Sequence, residues 1–250
     1  MKLLQGKVAL VTGGAGGIGS AICTALAREG AIVVVGYNKS ADAAQSLVEK
    51  LEKSDQPHVA LRVPVTETKT LNELSVQLET LYGRCDILVN CHGTTRFIPH
   101  AELDALDDSL FDEVMSTNVR GAFATVRALR SLLAQNQDGL VVNISSISAT
   151  LGIGSNIAYC ASKAALDTMT KSMARALAPA IRVLSVAPGL VKTDVTDNFD
   201  PAWLENYLQS TPLKRMVPSE DIALAVIAAA VYLPSSTGIV LPVDAGRLLA

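Results

Sequence analysis

Val8-Ala9-Leu10-Val11-Thr12-Gly13-Gly14-Ala15-Gly16-Gly17-Ile18-Gly19, running on into Ser20 to Arg28, is the stretch on which the reading of this chain turns. A short β-branched run reads as a buried strand, and the segment from Ser20 to Arg28 reads as a helix. The glycines between them allow a tight turn and let an anion approach backbone N–H groups at a helix N-terminus, where the helix dipole favours negative charge. A glycine run alone is a common turn; the strand before it and the helix after it make this one a pyrophosphate site. Two registers fit the residues. Gly14, Gly16 and Gly19 satisfy G-x-G-x-x-G, and Thr12, Gly13, Gly17 and Gly19 satisfy T-G-x-x-x-G-x-G.

The same alternation continues along the chain. Strand-like runs at Val8–Val11, Ile32–Val35, Val59–Val63, Ile87–Asn90, Leu140–Ile144, Ile181–Val186 and Ile239–Val243 alternate with helical stretches such as Ala41–Lys53, Leu71–Tyr82 and Ala158–Ala178. Crossovers of that kind return the chain to the same end of a sheet, which predicts an α/β fold with a seven-stranded parallel sheet and helices on both faces. The strands are apolar almost throughout, as burial on both faces requires. At 250 residues, 49% of them hydrophobic, the chain suffices for one sizeable core, and no repeat or linker divides it. A single domain over residues 1–250 is therefore expected.

Composition excludes several functions. The formal charge of −3 comes without a basic cluster, so no nucleic-acid or membrane-surface partner is expected. The longest apolar run, Ile222 to Leu233, is 12 residues, short of the about 20 that span a bilayer. Cys23, Cys85, Cys91 and Cys160 form no C-x-x-C pair and read as free thiols of a cytoplasmic protein. Three scattered histidines and unpaired cysteines offer no metal-ligand spacing, so the expected metal set is none.

An acidic residue commonly closes strand two in NAD-binding sheets, where it binds the ribose 2′-hydroxyl. Here the strand runs out as Gly36-Tyr37-Asn38-Lys39-Ser40, with no carboxylate. An amide and an ammonium there suit a 2′-phosphate, which favours NADP(H) over NAD(H). The alternative is that Lys39 and Ser40 solvate a turn and that Ser40 caps the next helix.

Tyr159-Cys160-Ala161-Ser162-Lys163 opens a long helical segment, so Tyr159 and Lys163 lie four apart on one face. A nearby cation favours the phenolate of a tyrosine whose ordinary pKa is about 10, so Lys163 is expected to hold Tyr159 down. Ser146 follows strand five, at the carboxyl edge where ligands of such sheets bind, and is placed to stabilise negative charge on a carbonyl oxygen; Ser145 competes for that position. Asn118 interrupts a helical run.

Taken together, these motifs resemble the short-chain dehydrogenase/reductase family from about residue 5 to the C-terminus, nearest to members that reduce 3-oxoacyl-[acyl-carrier-protein]. The T-G-x-x-x-G-x-G register is the family's, Asn90-Cys91-His92-Gly93 is similar to its N-N-A-G, Pro188-Gly189-Leu190-Val191-Lys192-Thr193 to its P-G-x-x-x-T, and Val243-Asp244-Ala245-Gly246 to its V-D-G-G. The resemblance implies a Rossmann-like doubly wound domain and hydride transfer between a nicotinamide cofactor and a carbonyl or alcohol. Asn118, Ser146, Tyr159 and Lys163 would be catalytic: Tyr159 the acid or base, Lys163 tuning it, Ser146 polarising the carbonyl, Asn118 anchoring a proton relay. Cofactor contacts would come from Thr12, Gly13, Gly17, Ile18, Gly19, Tyr37, Asn38, Lys39, Asn90, Gly93, Tyr159, Lys163, Pro188, Gly189, Val191 and Thr193. Departures are Arg62-Val63-Pro64-Val65, where the family carries an Asp against the adenine, and Cys91-His92 in place of Asn-Ala.

The expected substrate is a small-molecule carbonyl or its alcohol. A carrier-protein-linked ketoacyl reductase is the second reading; Ala134-Gln135-Asn136-Gln137-Asp138 and Pro179-Ala180 lack the basic rim an acidic carrier would meet, though Arg175 and Arg182 are near. A non-catalytic NADP-binding protein is the third. Residues of about 195–215 are read as a substrate lid in which Phe199, Trp203 and Tyr207 share helical spacing and face either the body or a ligand. His92, Thr94, Thr95 and Arg96 either meet a polar substrate or decorate a loop. The helical regions 107–133 and 158–178 resemble the family's pairing surfaces, which implies a homotetramer, or a dimer.

Overall fold

The computed structural model describes residues 2–192 and 199–250. Its strands are β1 (Val8–Thr12), β2 (Ile32–Tyr37), β3 (Val59–Arg62), β4 (Ile87–Asn90), β5 (Gly139–Ile144), β6 (Ile181–Pro188) and β7 (Val240–Val243). Among the described residues they form one parallel sheet in the order β3-β2-β1-β4-β5-β6-β7. The order reverses between β1 and β4, and this is the crevice where doubly wound sheets take their ligands.

The helices are α1 (Gly17–Arg28), α2 (Ala41–Lys50), α3 (Thr68–Tyr82), α4 (Asp108–Met115), α5 (Ala122–Ala134), α6 (Ser148–Leu151), α7 (Ile157–Leu177), α8 (Pro201–Ser210) and α9 (Ser219–Val231). Successive strand side chains point to opposite faces, so each strand feeds two cores. Ala9, Val11, Val33, Val35, Val89, Val142 and Val186 pack with α1, α2 and α9. Val8, Leu10, Val34, Leu88, Val141 and Val183 pack with α3, α5 and α7. Leu71, Leu74 and Leu78 show how this works on α3: spaced three and four apart, they are essentially inaccessible, and each contributes about 1.5–3 kcal/mol by leaving water.

The seven expected strands are present, with shifted ends. β6 runs two residues further, because Pro188 closes the strand, where its missing N–H is harmless and its carbonyl accepts from Ile147 N at 3.0 Å. Helix α2 stops at Lys50, where Leu51 turns to extended backbone and buries its side chain. The region 107–133 is not one regular helix: Ser116–Gly121 forms a π-helical turn between α4 and α5. No described helix is long and apolar enough to cross a membrane.

Candidate active site

The candidate ligands of the dinucleotide lie along the carboxyl ends of the strands. Thr12 ends β1, Tyr37 ends β2, Asn90 ends β4 and Pro188 ends β6, all on one rim. After Thr12, Gly13 has φ +65, and a Cβ there would lie 3.1 Å from the Cys91 carbonyl oxygen and from His92. A Cβ on Gly19 would sit 2.2 Å from the Gly13 carbonyl oxygen. Only glycine fits either place, so the loop folds back on itself and exposes the start of α1. Gly17, Ile18 and Gly19 form the first turn of that helix, which has no side-chain cap and no acidic residue. Its N–H groups and dipole are left for an anion, and this cradle fits a pyrophosphate.

At the end of β2, Tyr37 packs against the core while Asn38 and Lys39 are exposed. Ser40 stands at the N-cap of α2, but its side chain makes no capping bond, so the reading of Ser40 as a cap is corrected. Its φ of −93° and ψ of 60° depart from the extended backbone from which a hydroxyl reaches the second or third amide.

Helix α7 carries the chemistry-bearing pair. Asn156 supplies its cap: its Oδ1 accepts from Tyr159 N at 2.7 Å, and its Nδ2 donates to the Arg96 carbonyl at 2.7 Å and to Thr95 Oγ1 at 3.1 Å. One amide thus fixes the first turn of α7 and the loop after β4. Lys163 is 5% exposed, and its Nζ donates to the Ile144 carbonyl at 2.8 Å and stands 5.6 Å from the Tyr159 ring centre. Burial lowers Lys163 to about 8, partly offset by Cys91 and Asp167.

Burial also raises Tyr159 above the usual phenol range, and the group that opposes this is the Ser146 hydroxyl. The expectation that Lys163 holds the phenol down is therefore corrected for this geometry. The ammonium is turned toward a backbone carbonyl, and desolvation of the phenolate dominates. Ser146 Oγ accepts from Ser148 N at 3.1 Å at the rim, whereas Ser145 Oγ points inward to the Lys163 carbonyl at 3.4 Å. Ser146, not Ser145, is the hydroxyl beside Tyr159.

Asn118 sits in the π-helical turn, buried, with both ends of its amide engaged. Its Oδ1 accepts from Thr94 N at 2.8 Å, and its Nδ2 donates to Ser162 Oγ at 3.0 Å and the Thr94 carbonyl at 3.2 Å. A Cβ on Gly93 would lie 3.5 Å from Asn118 Oδ1 and 3.9 Å from Lys163 Nζ, so these three meet. Around them, His92 Nδ1 lies 2.7 Å from Thr12 Oγ1; burial, and then the charge of Lys163, lower it to about 3. His92 is thus a neutral strut between two strand ends. Thr94 hydrogen-bonds Glu113, Thr95 lies 2.6 Å from Ser155 Oγ, and Arg96 pairs with Asp107 at 3.7 Å.

Beyond β6, Gly189 N donates to the Val243 carbonyl at 3.0 Å, and Val191 bridges to Val217 with its side chain buried. Thr193 and the lid residues 195–198 lie outside the described residues. In α8, Trp203 meets Phe199 edge-on at 5.2 Å and stacks on Tyr207 at 5.5 Å. Tyr207 accepts from Leu190 N at 3.3 Å and lies under the Arg247 guanidinium at 4.7 Å, so this aromatic ladder is tied to the body. Sequence reasoning missed Asn156, although an Asn just before an apolar-periodic run is a helix-start signal. It also missed Asp167, which no local pattern marks.

A parallel doubly wound sheet, a glycine cradle at the start of α1 and a Tyr/Lys/Ser cluster at the same rim define a nicotinamide-dependent oxidoreductase. The model of the short chain dehydrogenase family matches residues 7–202, and the chain belongs to that family, acting on carbonyl or CH–OH groups with a nicotinamide cofactor. It is 38% identical over 98% of its length, and 97% of the relative's, to a Streptomyces violaceoruber protein assigned as ketoacyl reductase 2 of the granaticin polyketide synthase. It is 34% identical to the 3-oxoacyl-[acyl-carrier-protein] reductase of Thermotoga maritima, over 98% and 99% of the two chains. A Burkholderia xenovorans crystal structure assigned to the short-chain dehydrogenases/reductases superposes with a TM-score of 0.89 at 35% identity, over 98% of both chains.

Proposed function

We propose that this protein is an NADP(H)-dependent reductase of a small-molecule carbonyl, able in reverse to oxidise the matching secondary alcohol, with Tyr159 as general acid/base. The observation that carries the reading is the convergence of Tyr159, Ser146 and Lys163 at the rim that bears the glycine cradle. Thr12, Gly13, Gly17, Ile18 and Gly19 would hold the pyrophosphate. Tyr37, Asn38 and Lys39 would surround the 2′-phosphate, and the exposure of Asn38 and Lys39 with no carboxylate among them supports NADP(H). Asn90, Gly93, Pro188, Gly189, Val191 and Thr193, with Tyr159 and Lys163, would line the nicotinamide end. When bound, the cofactor supplies the hydride.

Ser146 donates to the carbonyl oxygen and stabilises the charge that grows there. Tyr159, raised by burial, stays protonated at neutral pH, so the resting site holds the proton that reduction of a carbonyl requires. Lys163 keeps its charge below about 8 and offsets the phenolate left behind. Asn118 and Thr94 hold the wall from which that proton is replaced. The fold is read as one domain, with residues 195–215 over the substrate. The free cysteines, three of them buried, suit the cytoplasm. Phe111 on α4, Phe123 on α5 and Ile157 on α7 are exposed, which supports pairing of these helices in a homotetramer or dimer.

A carrier-linked 3-oxoacyl reductase is the second reading, favoured by the names of the relatives above. Following NADPH oxidation with ketones, sugars and acyl thioesters separates the two. Tyr159→Phe should bind NADPH as the parent does and lose at least about 100-fold in turnover, the scale of general-acid catalysis. Retained turnover would remove Tyr159 from the mechanism; binding without turnover in the parent across all substrates would mean a non-catalytic protein.

A further inference from the structure

Helix α8 has no buried side chain among its ten residues, so apolar packing does little to fix it, and a helix of that length is marginal in water by itself. Asp200 caps its start, Oδ1 accepting from Trp203 N at 2.8 Å, but this bond lies within the segment. The polar contacts that the described residues of the body make with α8 gather at its last turn. Tyr207 Oη accepts from Leu190 N at 3.3 Å, Thr211 just beyond the helix is buried and donates to the Tyr207 carbonyl at 2.8 Å, and Lys214 Nζ reaches the Gln209 carbonyl.

The turn that leaves β7 presents a cation to the same place. The carboxylate oxygens of Asp244 accept from Gly246 N at 2.9 Å and Leu248 N at 2.8 Å, and its carbonyl accepts from Arg247 N at 3.1 Å. Gly246 stands at φ +84 against Pro212, where a Cβ would lie 3.0 Å from the proline ring, and Leu213 N donates to the Ala245 carbonyl at 3.0 Å. The backbone of Arg247 is thereby fixed against the segment that follows α8, and its side chain reaches back. Nη1 donates to Ser210 Oγ at 2.6 Å, and Cζ lies 4.7 Å from the Tyr207 ring centre. The ring quadrupole attracts the guanidinium, and so does the negative end of the helix dipole. The turn also meets the β6 exit: Gly189 N donates to the Val243 carbonyl at 3.0 Å, and a Cβ on Gly189 would lie 2.9 Å from Asp244 Cα. It therefore joins the loop that would face the nicotinamide to the helix that would cover the substrate.

We propose that Arg247 is a positioning residue for substrate binding: by clasping Tyr207 and Ser210 it holds α8, and with it the ladder of Phe199, Trp203 and Tyr207, over the site. This rests on the reading of residues 195–215 as the substrate cover. Arg247 acts through α8, by raising the share of molecules whose helix is in place, and the apparent affinity for substrate scales with that share. The KM for substrate therefore answers to Arg247 more than kcat does.

Trp203 is the single tryptophan of the chain, so its fluorescence reports on α8 directly. Arg247→Met keeps the length of the side chain but removes the cation and the donor. In the free protein, acrylamide should quench Trp203 more strongly in this variant than in the parent. With saturating NADPH, the KM for a ketone found in the screen should rise by about threefold or more while kcat changes less. Arg247→Lys, which keeps a cation near the ring, should fall between the two in both readouts. Ser210→Ala removes the hydrogen bond alone and should move both in the same direction by less; it carries the test if Arg247→Met fails to bind NADPH and so is misfolded. Quenching and KM both equal to those of the parent would overturn the proposal. Stronger quenching with an unchanged KM would do so too, because α8 would then not cover the substrate. Quenching needs no turnover, which keeps the failures apart: if Tyr159→Phe stays active the catalytic assignment falls, and Trp203 still decides whether Arg247 anchors α8.

Discussion

Replacing Asn156 with alanine should damage both stability and turnover, by amounts the hydrogen bonds allow one to work out. The side chain is 1% exposed and makes three hydrogen bonds, to Tyr159 N, Thr95 Oγ1 and the Arg96 carbonyl. The bond to Tyr159 N is an N-cap, worth about 1 kcal/mol. The two donated bonds are worth about 1 kcal/mol each. The expected loss is thus about 3 kcal/mol, readable by urea unfolding at fixed protein concentration. The catalytic share is smaller, since only the cap bears on the turn that carries Tyr159. If the cap energy is felt at the transition state, kcat/KM falls by roughly fivefold. Asn156→Asp separates the two, because a carboxylate keeps the acceptor for Tyr159 N and suits the positive end of α7 while losing both donors. It should lose at least about 2 kcal/mol of stability, because the buried carboxylate also faces the Arg96 carbonyl, yet keep turnover near that of the parent. Alanine within about 0.5 kcal/mol of the parent, or aspartate as inactive as alanine, would refute this account of how α7 is anchored.

Three further outcomes follow from the geometry. Burial pulls Lys163 from 10.5 to about 8, so between those values the unfolded chain holds a proton that the native chain lacks, and stability from this residue rises with pH across that window. Against Lys163→Met the parent should accordingly gain up to about 3 kcal/mol from pH 8 to 10.5, read by urea unfolding at several pH values; a flat difference would contradict it. Ala245 holds φ +56 where the resembling motif has glycine. The left-handed conformation costs about 1–2 kcal/mol and glycine loosens the unfolded chain by about 0.4–1 kcal/mol, so Ala245→Gly should raise the Tm modestly. Tyr37→Asp places a carboxylate at the end of β2 and should raise the KM for NADPH by about tenfold or more while NADH becomes usable; an unchanged ratio would mean the 2′-phosphate lies elsewhere.

The strands were legible because runs such as Ile32–Val35 and Leu140–Val142 are apolar throughout, as burial on both faces requires, a property of composition alone. The glycine cradle was legible for a steric reason, since a side chain at Gly13 or Gly19 collides with backbone. Helix ends were less so: α1 begins at Gly17, three residues before its first apolar-periodic positions suggest, because glycine carries no pattern. The π-helical turn at Ser116–Gly121 has no compositional mark at all. It is set by Asn118 reaching across to Thr94 and Ser162, contacts made only once α4, α7 and the loop after β4 are assembled.

Electrostatics was the least legible layer, and the proposed catalytic pair shows why. Spacing puts Tyr159 and Lys163 on one face, and from that alone a cation lowering a phenol is the natural deduction. The fold adds two effects absent from the spacing: the Ile144 carbonyl, which accepts a hydrogen bond from Lys163 Nζ at 2.8 Å, and the burial that raises Tyr159 and lowers Lys163 together. Desolvation moves acids and bases in opposite directions, so it drives apart two groups that are nearly level in proton affinity when free, leaving the phenol above the ammonium. A site arranged in this way does not need a resting phenolate. On the proposed reading it needs a phenol that gives up its proton only when a carbonyl oxygen, held by Ser146, begins to carry charge, and an ammonium close enough to offset the phenolate at that moment.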